Sequence, residues 1–500
     1  MGIVRLNWPV ISTVAAALYC VGMALAWSLS TQMPVDWAYE LLVNNRFQLS
    51  YYESNPPLYS WIVHVVRMLM PPGPGIFLLI NYCCLFASLT LVLAIASRIL
   101  VSRVLIALAP WSLFLDFYFS RLNFGFEHTQ LVILFYLLTV LLLMRIATAR
   151  RPLDFLLLGL AAGCGIIAKY DYCFGIAILL TAFCFRPRLR ARIATPWFAV
   201  SGVIAASVVA PVIWSFYAEG WGLFGLFAKK TGIHGTVETG GLGETIAILF
   251  VYAGPSLALI GAVMRLGRAD DRPNEADEKT LLFDFLRDVQ WIGLAVIVIG
   301  VSLFGVRRID NWYLHVFFVL LPLICLGVAD RRPHIAQTVP LCAASIFAMV
   351  FLGTANRLLA LTPLCMGECR DIVPYDRLAV ELRRAGFRQG AVLSPDVRVS
   401  GNLKRYFPES AIGDLAGIAP DARVPGAPIG QCLVIWQDQQ PADPPQTQSQ
   451  PPNLPSATGK IRTVEIPFRF GTIDAPAGAF RRRSAVWRFL LDEHGSQKCG

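Results

Sequence analysis

Residues 8–30 (WPVISTVAAALYCVGMALAWSLS) and 75–97 (GIFLLINYCCLFASLTLVLAIAS) each run on without one charged side chain. About 20 apolar residues are enough to cross the hydrocarbon layer of a bilayer as a helix. Inside that layer each backbone N–H and C=O must be satisfied within the segment, so an apolar run of this length has to be helical. Further apolar runs follow at 103–119, 129–146, 154–169, 172–186, 195–216, 244–264, 290–306, 312–329 and 334–353. The sequence therefore predicts a polytopic α-helical membrane protein with about 11 transmembrane helices. Composition agrees: 56% of residues are hydrophobic and 15% charged, where a soluble domain is roughly a quarter charged. The first run reads as a span, not a signal peptide, because it is long and no small-x-small cleavage site follows it.

The net charge of +10 is mostly a record of topology. Arg98 and Arg103, Arg145, Arg150 and Arg151, Arg186, Arg188, Arg190 and Arg192, and Arg331 and Arg332 recur in short loops between alternate spans. Such loops stay cytoplasmic. Segments 31–74, 120–128, 170–171, 217–243 and 307–311 then face outside, as does the chain after about 355. Arg307 and Arg308 are the exception, two cations on the outer side where they can hold an anion. No nucleic-acid-binding motif is present, so the charge implies no nucleic-acid partner. The cytoplasmic loop 265–289 is mixed in sign and reads as a solvated linker with a short helix.

Residues 1–355 form the transmembrane module, and 356–500 have the composition of a separate small α/β domain on the outer face. PYDRLAVELRRAGF (374–387) is amphipathic, with Leu378, Leu382 and Ala385 on one face and Gly386 placed to end the helix. AVLSP (391–395), CLVIW (432–436), TVEIPFRF (463–470) and AVWRFLL (485–491) read as strands. The Pro/Gln-rich loop 437–459 reads as disordered. Cys365 and Cys369 can pair as a disulfide outside the cytosol, or form half of a zinc site that no second pair in the tail completes. The other cysteines of the apolar runs act as small hydrophobes. No internal repeat marks two related halves.

The outer segments carry the unusual chemistry. Loop 31–74 (TQMPVDWAYELLVNNRFQLSYYESNPPLYSWIVHVVRMLMPPGP) is too long for a turn. VDWAYELL reads as a helix that puts Asp36 and Glu40 on one face. Glu53 and the rigid corner Asn55-Pro56-Pro57 follow, then LYSWIVHVVRMLM, which suits a helix lying at the membrane interface. Glu127 and His128 open a later span, and Lys169 and Asp171 separate two apolar runs. Lys169 has a bland alternative as an interfacial snorkeller. Residues 227–241, with Lys229, Lys230 and His234, read as a Gly-rich flap. Acids and cations thus gather at one depth, above spans almost free of charge. A lipid-linked phosphate donor needs cations for its phosphate, a carboxylate base for the acceptor hydroxyl, and an apolar groove for its tail.

These residues resemble a family, the polytopic C-type glycosyltransferases that use polyprenyl-phosphate sugars. Within it the chain looks like the protein O-mannosyltransferase-like and lipid A aminoarabinose transferase group. The resemblance rests on VDWAYELLVNNRFQLSYYESNPPLYSW, with an acid at Asp36 and a Pro-Pro corner about 20 residues on. It rests also on LLLGLAAGCGIIAKYDYCFGIAIL, with its Lys169-Tyr170 pair, and on DNWYLHVFFVLLPL. The tail PYDRLAVELRRAGFRQGAVLSPDVRVSGNLKRYFP is similar to that of an alphaproteobacterial subgroup, some of whose members transfer galacturonic acid to lipopolysaccharide core or lipid A.

The resemblance implies an integral inner-membrane enzyme of bacteria, with its site facing the periplasm. It would move a sugar from a polyprenyl phosphate to a lipid or glycan acceptor. Asp36 is then the general base, Glu53 and Glu127 orient the acceptor or bind a metal, and Lys169, Arg307 and Arg308 hold the donor phosphate. A divalent metal ion is the one cofactor it suggests. Two departures stand out: Trp37 follows Asp36 where relatives often have Glu, and Asn55 precedes Pro-Pro where they often have His or Lys. The rival reading, a transporter or lipid-linked-sugar flippase, calls for ionisable residues near the midplane and paired broken helices.

Overall fold

The structure is a computed structural model. It describes residues 7–30, 32–44, 47–51, 55–116, 119, 127–220, 242–266, 278–303, 318–331, 335–362, 373–394, 396–414, 431–437, 462–467, 469–470, 473–474 and 484–492. The chain forms two compact units. The first gathers residues 1–22, 48–59 and 81–354; the second gathers 23–47, 60–80 and 355–500.

The first unit is a helical bundle. Among the described residues, five helices are long and apolar enough to cross a membrane, or up to six if one bent pair counts as a span. Five expected spans coincide with these helices: Trp8–Ser28, Pro74–Ile99, Glu127–Ala149, Pro196–Ala218 and Ile335–Ala360. The bent pair is Tyr172–Phe185 with Pro187–Ile193, turned by 115°. Other expected spans fall on shorter helices, among them Arg103–Ser112, Pro152–Ala168 and Leu321–Asp330. Pro110 lies inside the first of these, which ends at Ser112, and a 3-10 turn follows at Leu113–Leu115. Prolines also start helices, at Pro152, Pro187 and Pro196, where a missing N–H has no cost.

Helix Pro152–Ala168 packs closely on Pro196–Ala218 because glycines line the contact. A Cβ at Gly159 would stand 2.5 Å from Ser201 O, and one at Gly163 would stand 2.8 Å from Val208 Cβ. Small residues are what let helices approach in this way when lipid removes the hydrophobic drive. Ser201 Oγ donates across the same contact to Phe155 O at 2.6 Å.

Two arginines of the basic loops pair with carboxylates of neighbouring helices. Arg145 pairs with the buried Asp154 at 2.8 Å, and Arg186 reaches Asp288 at 2.5 Å and Asp284 at 3.2 Å. Asp330 accepts from the backbone N–H of Val101 at 2.6 Å and Ser102 at 3.0 Å. Asp284 and Asp288 belong to the helix Glu278–Leu303. That corrects the expectation of a short separate helix in loop 265–289: its last part, from Glu278, is continuous with the following span.

The second unit contains a five-stranded sheet of order β2-β1-β3-β7-β4. Its strands are β1 (Gly390–Ser394), β2 (Ala411–Asp414), β3 (Gln431–Gln437), β4 (Arg462–Pro467) and β7 (Ser484–Asp492). β1 runs parallel to β2 and β3, while β7 is antiparallel to β3 and β4. A two-residue pair, β5 (Arg469–Phe470) with β6 (Ile473–Asp474), lies apart from it. The single strand expected over 463–470 is therefore two pieces. Leu378, Leu382, Phe387, Val392, Val399, Leu403, Leu433, Ile435 and Phe489 form the core under this sheet. Gly386, at φ +105, follows the helix Tyr375–Arg384, the left-handed position its sequence anticipates. Helix Val397–Tyr406 and strand β2 have no counterpart in the sequence reading. Asp396 starts that helix by accepting from Arg398 N at 2.8 Å.

Gly163→Val overpacks the helix contact and destabilises the protein by about 1–3 kcal/mol. Gly202→Val, with nothing within 4 Å of the new Cβ, leaves stability near wild type. Thermal unfolding of the two variants in detergent, followed by fluorescence, checks the difference.

Candidate active site

Helix Val35–Val43 carries Asp36 in its first turn, after Pro34 in an extended conformation. Asp36 is exposed, and its charge suits the positive end of the helix dipole. The other side of the helix is anchored. Trp37 stacks on Phe77 with ring centroids 5.1 Å apart, and Ala38 and Leu41 are fully buried.

Two residues of the tail helix Val397–Tyr406 hold the entry to this helix. Asn402 Oδ1 accepts from Met33 N at 2.7 Å, and its Nδ2 donates to Met33 O at 3.2 Å. One side-chain amide thus imitates a strand partner, satisfying a backbone donor and acceptor three residues before Asp36. Gly401 comes against the Ala38 backbone so tightly that a Cβ there would sit 2.5 Å from Ala38 Cα. Residues 33–38 are therefore held from a point far along the chain.

Glu40, expected on the same face as Asp36, has a different environment. It is 1% exposed, and Ser60 Oγ donates to its Oε1 at 3.0 Å. Helical periodicity puts both carboxylates on one side, but one turn of helix carries the second into the packed interior. Asn44 ends the helix and ties it to the next: its Nδ2 donates to Ser60 O at 2.5 Å, and Arg67 Nη1 donates to Asn44 O at 2.5 Å. That next helix, Leu58–Arg67, begins directly after the buried Pro56 and Pro57, with Asn55 half-buried before them.

In the first unit, Lys169 ends the helix Pro152–Ala168 in an extended conformation. It is 6% exposed, which rules out the snorkelling alternative. Its Nζ donates to Thr129 Oγ1 at 3.0 Å, and Asp171 Oδ2 stands 4.0 Å away. His128 Nδ1 lies 3.2 Å from Ala168 O, and its ring packs on Tyr59 at 5.2 Å. Tyr59 OH donates to Asn81 Oδ1 at 3.3 Å. The buried ammonium is thus bonded to a hydroxyl and paired with a carboxylate, in a setting where charges interact more strongly than in water.

Glu127 is the first residue of Glu127–Ala149. Its side chain, with Glu53, Arg307, Arg308, Cys365, Cys369 and the flap 227–241, lies outside the described residues. Asn402, Gly401, Ser60, Asn44 and Thr129 are the site-building residues that sequence reading missed. Asp396 ahead of a ten-residue amphipathic stretch was the available signal for the first two. Among the described residues, no group of three or more His, Cys, Asp or Glu could hold a metal ion.

Comparison with known proteins gives this arrangement a context. The family model for dolichyl-phosphate-mannose-protein mannosyltransferases matches residues 54–214. The lipopolysaccharide core galacturonosyltransferase RgtB of Rhizobium johnstonii is 20% identical, over 94% of this chain and 96% of its own length. RgtA of the same organism is 23% identical, over 91% of this chain and 93% of its own. Among solved structures, ArnT of Cupriavidus metallidurans bound to undecaprenyl phosphate has a TM-score of 0.52 at 12% identity. That likeness covers 84% of this chain and 92% of ArnT. The chain is a multi-pass membrane protein with the C-type glycosyltransferase fold, and the resemblance read from its sequence is borne out.

Asn402→Ala strands Met33 N–H and C=O in a buried setting, at a cost of about 1–3 kcal/mol to the loop. Limited proteolysis should then cut within 31–74 faster than in wild type, while the sheet stays protected. Equal cutting rates would show that the loop is held by other contacts.

Proposed function

We propose that the chain is an integral-membrane glycosyltransferase that moves one sugar from a polyprenyl-phosphate donor to lipopolysaccharide core or lipid A. In this reading it acts at the periplasmic face of a bacterial inner membrane. The observation that carries the reading is the similarity to two core galacturonosyltransferases along more than nine-tenths of the chain. The exposed carboxylate of Asp36, on a helix held rigidly from behind, supports a catalytic role in loop 31–74.

The roles follow from the charge that develops in transfer. Asp36 takes the proton from the acceptor hydroxyl as its oxygen bonds to the sugar's anomeric carbon. The bond between that carbon and the phosphate oxygen breaks, and negative charge collects on the leaving polyprenyl phosphate. Lys169 stabilises that charge, with Arg307 and Arg308 as further partners. Asn55 stands where a cation is common in the resembling enzymes, so more of the burden falls on Lys169. Glu53 and Glu127 orient the acceptor or ligate a divalent ion; full transfer after EDTA treatment would remove the second half of that role.

Asp36→Asn keeps the shape and removes the base, so transfer falls by about 10²–10⁴-fold. The variant should still insert and unfold like wild type. Labelled polyprenyl-phosphate sugars in isolated membranes measure the first point, and wild-type transfer would refute the assignment. Lys169→Ala raises the donor KM or lowers kcat, depending on whether the charge is felt in binding or only in bond breaking. Mass spectrometry of lipid A and core from a deletion strain identifies the acceptor: a missing sugar is expected, and an unchanged profile would redirect the search to other acceptors.

A further inference from the structure

The arginines between residues 145 and 192 divide into two groups. Arg145 is taken by Asp154, and Arg186 by Asp284 and Asp288. The side chains of Arg151, Arg188, Arg190 and Arg192 have no ion pair or hydrogen bond among the described residues. The last three stand on the seven-residue helix Pro187–Ile193. That helix turns 115° from Tyr172–Phe185, so it leaves the direction of the preceding span. Leu189 and Ile193, one turn apart, are buried and hold it against the bundle. Arg188 and Arg192 are also one turn apart, and Arg188 and Arg190 are exposed. Like charges at that spacing oppose helix formation, and a helix this short has little stability of its own.

Arg150 draws a second basic loop to the same helix. Its Nη2 donates to Ala191 O. With φ +45, it is the one non-glycine residue in the left-handed region among the described residues. A side chain there is crowded by its own backbone. The chain thus adopts an unfavourable local geometry where Arg150 and Arg151, both exposed, lie next to Pro187–Ile193. Exposed arginines alone are ordinary on a wet surface. Here the neighbours are apolar and exposed as well. Phe185 closes the helix before the arginines, Trp197 stands in the first turn of Pro196–Ala218 after them, and Leu153 follows Arg151. Tryptophan at the end of a span and basic side chains beside it suit the level of lipid headgroups. Basic pockets between such helices take anionic headgroups.

We propose that Arg150, Arg151, Arg188, Arg190 and Arg192 form a headgroup site for an anionic phospholipid, with Trp197 against its acyl chains. The guanidinium fork matches the phosphodiester, and the lipid's charge relieves the repulsion between the arginines. The site uses neither Asp36 nor Lys169, so it stands apart from the glycosyltransferase reading.

Native mass spectrometry of the full chain in detergent tests the site. The probes are phosphatidylglycerol and phosphatidylcholine with the same acyl chains. Wild type should hold phosphatidylglycerol at least about tenfold more tightly, the size of one charge-assisted contact. The preference should shrink as sodium chloride is raised. Arg188→Gln with Arg192→Gln should remove it, and Arg188→Lys with Arg192→Lys should keep part of it. Where the first pair fails to fold, Arg188→Gln with Arg190→Gln, both at exposed positions, carries the same test. Arg98→Gln with Arg103→Gln takes two charges from another basic loop and should leave the preference at the wild-type level. An equal loss there would show diffuse positive charge in place of a site and overturn the proposal. Equal retention of the two lipids by wild type would overturn it as well. So would complete displacement of the lipid by inorganic phosphate at matched concentration, since the site would then serve a soluble anion. Asp270, Asp271, Glu275 and Asp277 lie outside the described residues. Changing these four to Asn or Gln should leave the preference unchanged. A preference seen only in that variant would give the arginines to the chain's own acidic loop and refute the lipid.

Discussion

The amide of Asn402 on the backbone of Met33 is the contact on which the candidate chemistry depends. A base must be held within a fraction of an ångström to be useful, and Asp36 is exposed on a nine-residue helix. Such a helix has little stability of its own. What steadies it is the packing of the residues that follow Asp36: Trp37 on Phe77, Ala38 against Gly401, and Glu40 on Ser60. Each of these uses burial or a satisfied polar group to fix a side chain that itself stays in the open. The tail thus helps to hold the helix that carries Asp36 and is not only an appendage.

In the bundle the governing constraint is different. Lipid offers no hydrophobic reward for bringing helices together, so close packing and internal polar bonds have to do it. Gly159 and Gly163 supply the first, and Ser201 the second. Lys169 and Asp171 sit in this setting at the junction of two helices, each nearly inaccessible to solvent. A cation there is costly to retain, which is reason to look for a function.

Much of this was legible in the sequence. Long uncharged runs can only be helices, and Gly386 and the amphipathic 374–387 segment follow local rules that the structure obeys. VDWAYELL was legible as a helix because its apolar spacing is strong. Its partner was not: helix Val397–Tyr406 has a glycine at its centre, which lowers helix propensity. The glycine is there for the approach of Ala38, a tertiary demand that no local pattern carries. The burial of Glu40 was hidden for a related reason. Periodicity gives its direction, but only the position of Ser60 on another helix decides whether that direction is solvent or core. Alternation over 463–470 did not show that Arg462–Pro467 and Arg469–Phe470 pair in different sheets. The number of crossings is harder to read, because a short apolar helix such as Arg103–Ser112 satisfies composition without reaching full length.

The distance in sequence between Met33 and Asn402, 369 residues, sets an order on the making of the protein. At synthesis rates of about 5–20 residues per second, roughly 20–70 s separate the emergence of the two. Throughout that interval most of the bundle is being threaded into the membrane, while the loop that carries Asp36 still lacks its holder. The helix that carries Asp36 gains this support only when the last part of the chain has been made and folded.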